Sequence, residues 1–376
     1  EMRIDQFSWG EVSPDGESVG GTMVSWRQAP DQQSGQVDYR RKLAQTLPRE
    51  SLTTCMIVRA TEPSLERALR GLRGVTDQLV VAVDAGANPD SAAAKADVAR
   101  VGGLLDRYEA EWFVGESPLK VGFDAARNAT LDRARGDWIL WLDADEELEY
   151  GLRILKFLQP NCYDAYSLQH CHLTTEPPGM LKMDYPCRLF RRASGMRFVG
   201  VVHEHPCYSE TLPPKHVMLL PDSIAIMHTG YATEQVRLER FRRNIGLMRR
   251  DIETYPKRDL GKFLWIRDLT YLARFGGYAS EQSRAYAGSV IGLWRDLVKD
   301  NQLRYAVEAL PFVTETSVLL HGAQALVRWR FALDVYNGEG GRGEVLEAAF
   351  PTHGDARLLT GLLTADRYKP FDQRYY

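Results

Sequence analysis

The chain has 376 residues, of which 44% are hydrophobic and 26% charged, with a formal net charge of −3. This length and composition are ordinary for a globular protein with a full core, and the near-neutral balance argues against a general polyanion-binding surface. No apolar run approaches the roughly 18 residues that a membrane span needs. The five cysteines predict free thiols of a reducing compartment, so a cytoplasmic protein without a signal peptide is expected.

Residues 1–48 are rich in Gly, Ser, Pro, Asp and Gln with little periodicity, which predicts a loosely structured N-terminal extension. From Leu52 onward, short apolar runs alternate with segments of helical periodicity. The predicted strands are 52–58, 78–85, 104–114 and 139–142, and the predicted helices are 64–75, 91–103 and 123–134. This alternation predicts βαβ units, and therefore an α/β fold with a mostly parallel sheet in a domain at 49–231.

The rest of the chain divides into two parts of different character. Residues 151–230 carry short strand patterns separated by loops, and helical periodicity dominates after Ala232. The predicted helices are 233–255, 262–276, 280–300 and 305–336. They pair in units of about 35–40 residues, as tetratricopeptide-type repeats do, but the repeat signature is poor. An all-α C-terminal domain at 232–376 is therefore predicted, without a repeat assignment.

The stretch 136–148, GDWILWLDADEEL, runs from a buried-strand pattern straight into acidic residues. Burying carboxylates without partners is costly, so Asp143 and Asp145 are expected at the strand end, near solvent or a cation. Arg59 and Asp84 end two other predicted strands. Open parallel sheets bind ligands at the carboxyl ends of their strands, so these residues predict a binding site at one edge of the sheet.

Seven pieces of the sequence resemble glycosyltransferase family 2 in their order, over about residues 50–255. They are IVRATEPSLERAL, VVAVDAGANPD, the ARN-bearing helix, DADEEL, RLFR, GVVHE and HTGY. The chain is particularly similar to bacterial and phage members with a GT-A fold and a helical tail. The resemblance implies a Rossmann-like sheet and the inverting transfer of a hexose from a nucleotide diphosphate sugar, with a UDP-sugar as the expected donor.

The resemblance also implies a role for individual residues. A hard divalent cation, Mn²⁺ or Mg²⁺, would stabilise the leaving diphosphate through oxygen-rich coordination. The implied metal-site residues are Asp143, Asp145 and His228. The implied donor-binding residues are Val58, Arg59, Asp84, Arg127, Asp143 and Arg188. Glu204 is the first candidate for the general base and Asp184 the second. The alternatives left open are a solvated acidic turn with a structural histidine, and an Arg188 that simply pairs with an acid.

A different site is suggested by a dense set of soft ligands between residues 162 and 207. They are Cys162, His170, Cys171, His172, Cys187, His203, His205 and Cys207. No C-x-x-C or H-x-x-x-H spacing occurs among them, so interior thiols and strand histidines are favoured over a structural zinc site.

The acceptor is not specified by the sequence. A protein or peptide side chain, a glycan and a hydroxymethylated DNA base are the candidates. Helix 233–255 carries an arginine stripe that could follow phosphates, but interleaved acids favour a solvated face. Two other classes remain: a nucleotidyltransferase, disfavoured because IVRATEPS lacks a glycine-rich loop, and a non-catalytic scaffold whose helical tail recruits partners.

Overall fold

A computed structural model describes residues 3–12, 18–27, 49–159, 163–175, 179–230, 233–275, 280–299 and 303–321. At the N-terminus, β1 (Arg3–Val12) and β2 (Ser18–Arg27) pair as antiparallel strands, where the composition predicts a loosely structured extension. Residues such as Phe7, Ser8 and Trp9 have the apolar–polar alternation of a strand, which the glycines and serines around them obscure. Within the described ranges, no helix has the length and apolar character needed to cross a membrane.

The remaining strands are short and follow the predicted order. They are β3 (Leu52–Arg59), β4 (Gln78–Asp84), β5 (Glu111–Gly115), β6 (Trp138–Trp141), β7 (Glu146–Glu149), β8 (Ala165–Ser167), β9 (Gln169–Leu173), β10 (Met180–Asp184), β11 (Cys187–Arg191), β12 (Arg197–Val199), β13 (His205–Cys207), β14 (Val217–Leu219) and β15 (Ala225–His228). The helices of this part are α1 (Leu65–Leu72), α2 (Ala92–Asp106), α3 (Pro118–Val121) and α4 (Phe123–Leu131). Among the described residues, 3-10 helices lie at Gly151–Phe157 and Arg192–Ser194.

Seven strands form the central sheet, in the order β14-β8-β11-β6-β3-β4-β5. β6, β3, β4 and β5 run parallel to one another, whereas β11 is antiparallel to both β6 and β8. The predicted α/β class with a mostly parallel sheet is thereby confirmed. Every residue of β6 is buried, as expected for a strand covered on both faces. On one face, α1 buries Leu65, Ala68, Leu69 and Leu72, the spacing of a single helix face.

A second sheet, in the order β10-β9-β15-β7, stands beside the end of β6. β7 begins directly after the DAD turn, and β15 pairs antiparallel with it so that His228 lies opposite Glu146. On its other side β15 pairs parallel with β9, which places His228 opposite His172. This register brings a late histidine next to the acidic turn, 83 positions from Asp145 in sequence. β12 and β13 form a separate two-stranded sheet.

The C-terminal part of the described chain is helical, as predicted. Its helices are α5 (Glu234–Thr254), α6 (Asp259–Phe275), α7 (Glu281–Lys299), α8 (Leu303–Glu308) and α9 (Leu310–His321). Thr233 caps α5, its hydroxyl accepting a hydrogen bond from the amide of Val236. The predicted helix 305–336 is divided between α8 and α9, and its part beyond His321 lies outside the described residues.

Candidate active site

The carboxyl ends of the parallel strands meet at one edge of the central sheet. Arg59 and Asp84 are register partners at the ends of β3 and β4, and the amide of Leu142 donates to the carbonyl of Cys55 just beyond β6. The Asp84 carboxylate accepts hydrogen bonds from the Gly86 amide and, at 3.3 Å, from the hydroxyl of Ser117 at the end of β5. Arg59, Asp84 and the end of β6 therefore lie along one edge of the central sheet.

The predicted nucleobase residues at the end of β3 differ in accessibility. The Arg59 side chain is exposed at the edge. Val58 belongs to the main hydrophobic core and is 3% exposed, so its side chain packs inward.

Arg127, on α4, joins two of the predicted acidic residues. Its guanidinium donates to Asp143 at 2.6 Å and to Glu204 at 2.5 Å, and it stacks on the ring of Trp141 with 4.5 Å to the centroid. Burial alone would lower the pKa of Arg127, but Asp143 and Glu204 raise it above its usual value. Arg127 is thus a permanent cation that connects the acidic turn after β6 to the loop carrying Glu204.

Glu146 is a member of the site that the sequence analysis did not single out. It lies in the DADEEL segment and is 1% exposed. Its carboxylate forms two hydrogen bonds with Arg188, at 2.9 and 2.7 Å, and accepts a third from the Asp143 amide. Along β7, the buried Glu146 and Leu148 alternate with the more accessible Glu147 and Glu149. Burying a charged side chain is costly unless it is paired, so a charged residue at an inward position predicts a buried partner.

The surroundings of Arg188 match the alternative in which it pairs with an acid. Its side chain is buried, pairs with Glu146 and stacks on Trp141 at 3.7 Å from the ring centroid. It therefore pairs with an acid behind the turn, which orients Asp143 through Glu146.

Asp145, the second aspartate of the motif, faces a different set of partners from Asp143. Its Oδ2 lies 3.3 Å from His228 Nε2 and accepts a hydrogen bond from Arg240 of α5 at 2.8 Å. Burial would raise its pKa, but His228 and Arg240 lower it to about 2, so the carboxylate is ionised. Two ligand atoms about 2.1 Å from one ion are about 3 Å apart when they bind at right angles. The Asp145–His228 separation fits a pair of ligands to one divalent cation.

Gly230 lies directly against Asp145 and His228. A Cβ atom there would lie 2.1 Å from Asp145 Oδ2, 2.4 Å from His228 Nε2 and 2.5 Å from an Arg240 nitrogen. Three polar groups from three elements therefore converge on one point, against a backbone position that tolerates no side chain. Tyr231, which ends the HTGY motif, lies outside the described residues.

His228 also belongs to a buried group with His170 and His172, whose potential ligand atoms lie within 4.8 Å of one another. Asp184 Oδ1 lies 3.1 Å from His170, and its Oδ2 lies 3.1 Å from His172. These contacts, together with Lys182, hold the pKa of Asp184 far below its usual range although burial would raise it. Asp184, predicted as the second general base, is thus directed at the histidines.

The pKa values of His170 and His172 shift in opposite directions. Burial lowers the pKa of His172 to about 4, so this ring is neutral at neutral pH. Burial would also lower the pKa of His170, but the nearby Glu146 carboxylate raises it. Of the soft ligands weighed for a zinc site, only His170 and His172 are in this group. Cys55, Cys171, Cys187 and Cys207 are free thiols, and Cys162 lies outside the described residues.

The loop that carries Glu204 is held by the helical part of the chain. The Val201 amide donates to Asp251 at 2.7 Å, and Arg258 donates to the carbonyl of His203 at 2.6 Å. Arg258 and Asp251 also form a buried ion pair. His203 has a left-handed backbone conformation, with φ of 53°. The helices therefore position Glu204, a contribution that their amphipathic pattern alone did not indicate.

Part of the arginine stripe on α5 faces the strand domain. Arg240 binds Asp145, and Arg250 donates to the carbonyls of Leu119 and Lys120. These two arginines serve contacts within the chain, where the sequence favoured a solvated face.

Comparison with known proteins finds a family model that matches part of the strand domain. The family model described as Glycosyl transferase family 2 matches residues 53–170. The SPbeta prophage-derived glycosyltransferase SunS of Bacillus subtilis is 26% identical over 201 residues, which cover 51% of this chain and 43% of SunS. A TPR repeat-containing protein of Synechococcus elongatus is 30% identical over 210 residues, 54% of this chain and 47% of the relative. The matched region thus spans less than half the length of either relative.

Matches among solved structures have low sequence identity and TM-scores below 0.5. TarS 1–349 of S. aureus, in complex with UDP-GlcNAc, is 12% identical with a TM-score of 0.39, covering 86% of this chain and 94% of that one. The mannosyltransferase PcManGT of Pyrobaculum calidifontis, in complex with GDP-Man and Mn²⁺, is 14% identical with a TM-score of 0.38, covering 78% and 93%.

Proposed function

We propose that the chain, whose residues 53–170 match the Glycosyl transferase family 2 model, is a metal-dependent, inverting hexosyltransferase that uses a nucleotide diphosphate sugar, with UDP-sugar as the expected donor. The observation that carries this proposal is the meeting of Asp145 and His228, 3.3 Å apart, at the sheet edge where the parallel strands end. Their charge and separation suit a hard divalent cation.

Asp145 and His228 would hold the cation, Mn²⁺ or Mg²⁺. When bound there it would stabilise the negative charge that develops on the leaving nucleoside diphosphate. Asp143 is about a third exposed and fixed by Arg127, so its carboxylate is presented to the donor beside the cation. Asp84 and Arg59 lie on the same edge, where they would contact the nucleoside.

Glu204 is our choice for the general base. One of its carboxylate oxygens accepts a hydrogen bond from Arg127, and Asp251 of α5 holds the loop that carries Glu204 through the Val201 amide. The second oxygen has no hydrogen-bond partner among the described residues, so it could accept a proton from an acceptor hydroxyl or thiol. Asp184 is the weaker candidate because both of its oxygens are engaged by histidines.

The acceptor would be a protein side chain, a glycan or a modified DNA base. The use of Arg240 and Arg250 inside the chain leaves fewer cations of the α5 stripe for phosphates, which weakens the DNA candidate. A glycan or protein acceptor would be recognised by the loops around Glu204.

Calorimetric binding of UDP, GDP and their hexose conjugates, with and without Mn²⁺, tests the proposal. We expect UDP-dependent heat only with Mn²⁺, and its loss in Asp145→Asn. The matched control is Asp132→Asn, an exposed aspartate paired with Arg197, which should bind like wild type. If no nucleotide binds under any condition, the donor site is not at this edge, and a scaffold role for the helices becomes the better account.

A further inference from the structure

Arg240 of α5 donates a hydrogen bond to the carboxylate oxygen that we propose as a ligand of the cation. The distance from its guanidinium to Asp145 Oδ2 is 2.8 Å, and the same oxygen lies 3.3 Å from His228 Nε2. A divalent cation binds a carboxylate oxygen at about 2.1 Å, so it would lie within about 5 Å of that guanidinium nitrogen. Two cations at this separation repel each other. Arg240 and the cation therefore compete for Asp145.

Arg240 is more accessible than Arg127 and Arg188, which also pair with acids of this site. The side chains of Arg127 and Arg188 are only 6% and 4% exposed, and each forms two hydrogen bonds with carboxylates. The Arg240 side chain is 30% exposed. Because a partly exposed ion pair contributes little to stability, Arg240 can exchange its partner at a small cost.

The position of Asp145 is also maintained by contacts that do not involve Arg240. The backbone carbonyl of Asp145 accepts hydrogen bonds from the amide and the hydroxyl of Thr229, both at 3.2 Å. Arg67 of α1 donates to the same hydroxyl at 2.6 Å. The Asp145 carboxylate should therefore keep its place when Arg240 is displaced, so an exchange of partners does not require the site to unfold.

We propose that Arg240 is a binding residue for the diphosphate of the donor, which it contacts once the cation has taken its place on Asp145. This inference rests on the proposed metal-dependent function. A nucleoside diphosphate brings several negative charges next to the cation, and a guanidinium forms strong charge-assisted hydrogen bonds with phosphate oxygens. The cation releases Arg240 for the diphosphate, and the diphosphate keeps Arg240 away from Asp145. The two ligands therefore bind cooperatively.

The Mn²⁺ and UDP affinities of Arg240→Gln test this exchange. Electron paramagnetic resonance of free Mn²⁺ measures binding of the cation alone, and calorimetry measures UDP binding with Mn²⁺ in excess. Arg240→Gln removes the competing cation, so Mn²⁺ alone should bind about 10-fold more tightly. The same variant loses a charged hydrogen bond to the diphosphate, so UDP should bind about 10-fold more weakly.

Two further variants serve as controls. Arg242→Gln removes an exposed arginine of the same helix, so both affinities should match those of wild type. Arg240→Lys retains a positive charge at the position and should restore the weaker binding of Mn²⁺ alone. Circular dichroism checks that each variant is folded.

The two affinities must change in opposite directions in Arg240→Gln for the inference to stand. If neither affinity changes, Arg240 has no part in donor binding, while the proposed metal site stands. If both become weaker, Arg240 supports the structure of the site, and the exchange is wrong. Tighter Mn²⁺ binding with unchanged UDP binding would show competition without a contact to the diphosphate, which also overturns the inference. If wild type binds neither Mn²⁺ nor UDP, the proposed function itself fails.

Discussion

Replacing Arg127 by methionine removes the cation that Asp143 and Glu204 share. The Glu204 side chain is 7% exposed, and a buried carboxylate that loses its partner costs about 3–5 kcal/mol of unfolding free energy. The Asp143 side chain is 32% exposed and can be rehydrated. Losing its ion pair with Arg127 therefore adds only about 0–1 kcal/mol. The methionine retains most of the apolar contact with Trp141. We therefore expect Arg127→Met to destabilise the protein by about 3–5 kcal/mol.

Urea unfolding at pH 7.5 measures this loss, with Arg135→Met as the matched control. Arg135 is 71% exposed and pairs with Glu111 at the surface, so its loss should cost less than about 1 kcal/mol. Adding Glu204→Gln to Arg127→Met removes the stranded charge and should recover about 2 kcal/mol. The loss should also be smaller at pH 5, because a buried unpaired carboxylate can take up a proton. A loss below about 1 kcal/mol, or no recovery in the double variant, would refute this reasoning.

Two further predictions concern Gly230 and the pH dependence of stability. Gly230→Ala places a methyl group against Asp145 and His228, so Mn²⁺ binding measured by calorimetry should be lost. The control Gly246→Ala lies in open space on α5 and should bind Mn²⁺ normally. Equal Mn²⁺ binding by both variants would contradict a cation site beside Gly230. Burial and the Arg258 cation lower the pKa of His205 to about 3, so its contribution to stability is present above about pH 6.5 and is lost as the pH falls toward 3. Unfolding of His205→Gln should accordingly vary less between pH 6.5 and pH 4 than that of wild type, and parallel curves would show that His205 is not buried as a neutral ring.

The fold was predictable where the pattern is local and periodic. The apolar run before Asp143 and the helical spacing of Leu65, Ala68, Leu69 and Leu72 depend on neighbours in sequence, and these elements lie where expected. Segment 104–114 was only partly right, because α2 continues through Asp106 and the strand begins at Glu111. A helix end and a strand start of similar composition are difficult to separate by period alone.

Site residues could be predicted from the sequence only where they belong to a recognisable motif. Asp145 and His228 meet because β15 inserts between β7 and β9, a register that no local pattern specifies. The second histidine, His172, was noted only as a soft ligand on a strand, since its partner lies 56 residues away. Similarly, the hydrogen bond from Arg258 to the loop that carries Glu204 joins segments that are distant in sequence. Long-range pairing of charged groups leaves no periodic signal, so the structure was needed to find it.

The most direct test of the account is an anomalous difference map at the manganese edge, from crystals soaked in MnCl2 and UDP. We predict a peak about 2.1 Å from both Asp145 Oδ2 and His228 Nε2, with no peak at this position in crystals of Asp145→Asn. A peak among His170, His172 and His228 but away from Asp145, or no protein-bound manganese at all, would contradict the proposed donor site.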